Sequence, residues 1–187
     1  MHLKFILSFF LLFAISDNNL CSQEWARQVH LEGNFSVMLP NSPKLKVNEV
    51  VDPVFGELRL NHWTAVDTSA KTGEMVYTIF YTDYPEDMVH QDSTDLLEEF
   101  FAATAESAAY SMAGNLIYSS ELGGFECPGY TFRIHYNLGD AVIRSRAYLC
   151  CSRLYILSVA GLTEGVSTDQ LFKFFNSFRL INSCDVR

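Results

Sequence analysis

The stretch 125–162, FECPGYTFRIHYNLGDAVIRSRAYLCCSRLYILSVAGL, constrains this chain more than any other. Its β-branched and aromatic residues alternate with polar ones, which predicts three consecutive antiparallel strands joined by two tight connections. With Asn137-Leu138-Gly139-Asp140 as the first connection, Tyr136 faces Ala141. Counting outward then sets Cys127 opposite Cys150. The same register gathers Thr131, Arg133 and His135 with Val142, Arg144 and Arg146 on one face. Tyr130, Phe132, Ile134, Ile143 and Ala147 fall on the other, because side chains alternate along a strand.

The remaining elements read less sharply. A short strand is expected over 34–40, ended by Pro40, and a hairpin over 57–66 and 75–81, with Leu58 and Leu60 on one face and Arg59, Asn61 and Trp63 on the other. Residues 44–52 read as polar and extended. Between 93 and 113 the spacing changes to three and four, with Leu97, Phe101, Ala105, Ala108 and Met112 on one stripe, so a long helix is expected. Asp92 or Ser93 caps its start and Gly114 supplies a left-handed stop. A strand over 115–121 follows. Ser167-Thr168-Asp169-Gln170 reads as a capping box ahead of a short helix rich in phenylalanine. The expected fold class is therefore α+β: a single antiparallel sheet of about six to seven strands packed by one long helix and one short C-terminal helix.

Composition bounds the function. With 187 residues, 49% hydrophobic and 19% charged, the chain makes one well-buried domain. Its net charge of -9 disfavours nucleic acid or an anionic membrane surface as partner. MHLKFILSFFLLFAIS has a lone Lys4 before an apolar run too short to span a bilayer, so residues 1–22 read as a signal peptide cleaved before Gln23, with Ser16 as a second candidate site and 23–187 as the mature domain. Export to the periplasm or medium is the expectation, with no transmembrane segment in the mature chain. Cys21 lacks the small residues that a lipoprotein signal places before its cysteine.

Phe35-Ser36-Val37-Met38-Leu39-Pro40, Tyr81-Thr82-Asp83-Tyr84-Pro85, Pro128-Gly129-Tyr130, Arg146-Ala147-Tyr148-Leu149, Arg153-Leu154-Tyr155 and Phe174-Phe175-Asn176-Ser177-Phe178 together resemble exported bacterial proteins of the PsbP/Mog1-like fold. The resemblance implies an α/β/α sandwich around a central antiparallel sheet, in a superfamily of mostly accessory or binding proteins. It carries over no catalytic residues.

The chemistry-bearing residues fit that expectation. His30, His62, His90 and His135 are scattered, with no zinc-protease run, nucleophile elbow or phosphate loop, so no catalytic residue, metal or cofactor is assigned. In an exported domain Cys127, Cys150, Cys151 and Cys184 are disulfide candidates. Cys127 with Cys150, a vicinal Cys150-Cys151 bridge and Cys151 with Cys184 all remain open. Arg133, Arg144 and Arg146 with His135 form a basic face suited to a small anion, unless they pair with Asp92, Asp95, Glu98, Glu99 and Glu106 of the long helix or simply face water. The loop 83–92 is rich in oxygen ligands but lacks the spacing of a calcium loop. Two functions stand: a non-catalytic binding or accessory domain using a sheet face or the groove beside the long helix, for an envelope protein or a small anionic or apolar ligand; or an enzyme of hydrolase class whose residues converge only in three dimensions.

Overall fold

The computed structural model describes residues 24–68, 73–165 and 167–183; the expected leader, Cys21 and Cys184 lie outside the described residues. The elements are β1 (Ala26–His30), β2 (Phe35–Leu39), β3 (Lys44–Asp52), β4 (Gly56–Asp67), β5 (Met75–Asp83), α1 (Thr94–Ser111), β6 (Asn115–Glu121), β7 (Gly129–Tyr136), β8 (Ala141–Cys150), β9 (Arg153–Leu162), α2 (Thr168–Phe175) and β10 (Arg179–Leu180). Seven strands form one antiparallel sheet in the order β3-β4-β5-β9-β8-β7-β6. The expected sheet is thus present at the upper end of its expected size. A second, separate sheet has the order β1-β2-β10, which the sequence did not anticipate.

The two faces of the large sheet carry separate cores. On one, Phe35, Val37 and Leu39 of β2 and Leu171, Phe174, Phe175 and Phe178 in and after α2 bury against Tyr77, Ile79, Tyr155, Leu157 and Val159. Each such side chain contributes roughly 1.5–3 kcal/mol by leaving water. On the other, Phe101, Ala105 and Ala109 of α1 meet Phe132, Ile134, Ile143, Ala147 and Leu149. Helices on opposite faces make the expected α/β/α sandwich.

The position of α1 follows from its connection. Only residues 112–114 separate it from β6, so the helix must lie over the β6 edge. Gly114 permits this. A Cβ there would meet Ile134 Cγ2 at 2.6 Å and the His135 carbonyl at 2.9 Å, so the glycine serves close approach, while the left-handed residue is Ala113 at φ 49°. The expected left-handed stop at Gly114 is corrected accordingly. Seven strands span about 30 Å, whereas a helix is about 10–12 Å wide. One helix at one edge leaves most of that face uncovered.

Two other local expectations are replaced. Ser167 precedes α2 as its cap residue but makes no side-chain cap bond, and Gln170 instead donates to Asp67 Oδ2 at 3.3 Å. Likewise Ser93 caps α1 without a side-chain bond.

Candidate functional site

The β7–β8 register places Arg133 directly opposite Arg144, Thr131 opposite Arg146 and His135 opposite Val142. These residues share the α2 face, since Arg146 stacks on Phe175 at 4.9 Å and donates to Asn176 Oδ1 at 2.9 Å. The acidic helix packs on the other face, where Phe101 stacks on Tyr130 at 4.7 Å. Pairing of the arginines with the α1 carboxylates is therefore ruled out by the sheet itself. Arg146 is anchored, whereas Arg133 Nε, Arg144 Nε and His135 Nε2 are buried and have no hydrogen-bond partner.

The part of the α1 face that the helix leaves uncovered holds a groove of about 1170 Å³. Its floor is Leu60, His62, Phe80, Leu154 and Ile156, and its wall is the side of α1 bearing Leu97, Phe100, Ala103, Thr104, Ser107 and Ala108. Phe55 and Tyr84, 4.7 Å apart between ring centroids, close one end, and Tyr84 meets Phe100 at 5.4 Å. Thr104 Oγ1 donates to the Phe100 carbonyl, and at the far end of the wall Ser111 Oγ donates to the Ala108 carbonyl, both at 2.8 Å. Their hydroxyls are thus satisfied within the helix, and the lining is mainly apolar, with Asp52, Asp87, His90, Ser93, Glu99 and Ser107 among its polar members. Burial, with Lys46 nearby, lowers the His62 imidazole below its ordinary value and keeps it neutral at neutral pH. A concave, mainly apolar lining with polar groups placed among it is what ligand sites are made of.

The sequence named a groove beside the helix only in outline. A sharper signal lay in β5 and β9: MVYTIFY and LYILSV are apolar on both faces, yet a single helix is available for one of them.

The other candidates are placed as follows. Cys127 and Cys150 form a disulfide with Cα atoms 5.2 Å apart, which excludes the vicinal bridge. Cys151 is also disulfide-bonded. In the 83–92 loop the Asp83 carboxylate is engaged by Arg153, Nη2 to Oδ2 at 2.7 Å, and no three His, Cys, Asp or Glu side chains converge among the described residues. His90 lies 3.3 Å from Asp92 on the turn before α1. His30 Nδ1 accepts the Gly33 N–H at 2.7 Å and packs on Trp63. Asn34 is tied to Asn182 by three hydrogen bonds of 2.8–3.1 Å, so its amide holds the small sheet together.

This architecture is a PsbP-like α/β/α domain with an open groove on its single-helix face. The solution structure of cyanobacterial PsbP (CyanoP) from Synechocystis sp. PCC 6803 matches it with a TM-score of 0.58 at 12% identity, over 84% of this chain and 93% of that one. No protein-family model matches the chain, and no curated protein does. No helix among the described residues is long and apolar enough to cross a membrane.

Proposed function

We propose that this protein is an exported, non-catalytic binding or accessory domain that takes an elongated apolar molecule of lipid-like chemistry into the α1 groove. The observation that carries this reading is the groove itself. Its floor is sheet and its wall is helix, so it persists without a ligand, and its apolar lining matches an acyl chain better than a polar substrate. Export is supported by the leader-like N-terminus and by the buried Cys127–Cys150 disulfide, a bond that persists in oxidising compartments. The PsbP-like fold agrees with an accessory role.

Titration with the neutral apolar dye Nile red tests the reading. Ala103 is exposed on the groove wall, so A103W fills the groove without disturbing either core. We expect the wild type to bind the dye and A103W to bind it about tenfold or more weakly, a loss of about 1.4 kcal/mol. Equal affinity in both proteins, or no binding by either, overturns the proposal.

A further inference from the structure

On the opposite face of the sheet, independently of the groove, we infer a binding site for a phosphate-bearing anion between Arg133 and Arg144. Directly opposed residues of an antiparallel pair hold their Cβ atoms about 4.5–5.5 Å apart, and like charges placed so are destabilising. Arg133 and Arg144 stand in that relation, half-buried, with no hydrogen bond or ion pair to any described residue. A buried donor left without an acceptor costs about 1–3 kcal/mol, and both arginine Nε groups are in that state. His135 lies two residues from Arg133 on the same strand face, and its Nε2 is buried and unpartnered too.

Two guanidinium groups, each with a buried Nε that has no acceptor, and an imidazole with a buried, unpartnered Nε2 therefore share one face of the sheet. A tetrahedral dianion completes them: its charge balances two arginines, and its three terminal oxygens meet two forks and a third donor. Arg146 is excluded from this set by its stacking on Phe175 and its bond to Asn176. The chain's net charge of -9 gives an anion no general attraction, so binding must come from this local pair.

Thermal unfolding and calorimetric titration of the mature protein decide the matter, with inorganic phosphate, glycerol 3-phosphate and acetate as probes. Vesicles of phosphatidylcholine with and without phosphatidate test whether the phosphate is lipid-borne. At about 10 mM either phosphate should raise the wild-type midpoint. R133Q and R144Q should weaken phosphate about tenfold or more, while R59Q, which removes a distant exposed charge, keeps it. In phosphate-free buffer R144Q should be at least as stable as wild type, since it removes the like-charge pair. R133K keeps the charge but loses the fork, and several-fold weaker binding is expected should the glutamine variants fail to fold. Binding of phosphatidate vesicles without response to free phosphate assigns the site to a lipid headgroup. Acetate acting as well as phosphate, equal losses in R59Q and R144Q, or a wild type that responds to neither free phosphate nor phosphatidate overturns the inference.

Discussion

The Tyr155 hydroxyl donates a 2.8 Å hydrogen bond to the Gly33 carbonyl, joining the central strand of the large sheet to the turn between β1 and β2. Burial pushes this phenol up to about 12, so it remains a donor throughout the working range of pH. Arg153, two residues away, donates to the Glu32 carbonyl at 2.9 Å and grips Asp83, so two neighbouring side chains of β9 hold the small sheet in place. Replacing Tyr155 by Phe keeps the ring and leaves the carbonyl unpaired. A loss of about 1–3 kcal/mol is expected in urea unfolding, and an unchanged midpoint refutes this role.

The Cys127–Cys150 disulfide closes a loop across a sequence separation of 23. Chain-entropy arguments give such a loop about 3 kcal/mol of stabilisation. Because Cys151 is also disulfide-bonded, a reductant would confound the measurement, and the double variant C127A/C150A isolates this bond. It should unfold at clearly lower denaturant with a similar slope. A loss below about 1 kcal/mol would place the chain's stability in its two cores instead.

Two histidines make stability depend on pH. Burial lowers His30 and His62 below 6.5, so around and below that value the unfolded chain binds more protons than the fold. Stability contributed by these groups is full above the unfolded value and is lost as pH falls through the lowered folded values. Denaturant midpoints should therefore drop between about pH 7 and about pH 5, with the drop smaller in H30Q and in H62Q. Variants that fall as steeply as the wild type would assign the dependence to carboxylates.

The β7–β8 register and the Cys127–Cys150 opposition were readable because residues 137–140 make a short connection that pairs Tyr136 with Ala141 and so fixes every pair outward from it, although β8 itself is buried on both faces. The edges were not. All but two residues of β3 are exposed, so its strand character comes from pairing with β4 and leaves no burial pattern in the sequence. β10 has two residues and rests on Asn34, whose carbonyl accepts the Ile181 N–H at 3.1 Å. The arginine face was legible as a cluster. Which of its members is anchored was not, because Phe175 and Asn176 reach Arg146 from α2, 30 residues away along the chain for Asn176. The groove depends on how much of a sheet one helix covers, a property of widths and connections with no local pattern.

The strand order divides the large sheet into two runs of sequence neighbours, β3-β4-β5 and β6-β7-β8-β9, joined by the β5–β9 ladder from Val76–Ala160 to Asp83–Arg153. Every other ladder in that sheet closes a short loop. The entropy of closing a loop grows with its length, so this one seam carries most of the topological burden of the large sheet. The Cys127–Cys150 bond lies wholly within the second run and leaves that closure unassisted. Folding speed should therefore be set by how the two runs find each other, and Arg153 clasping Asp83 at the end of the seam is placed to act on that step.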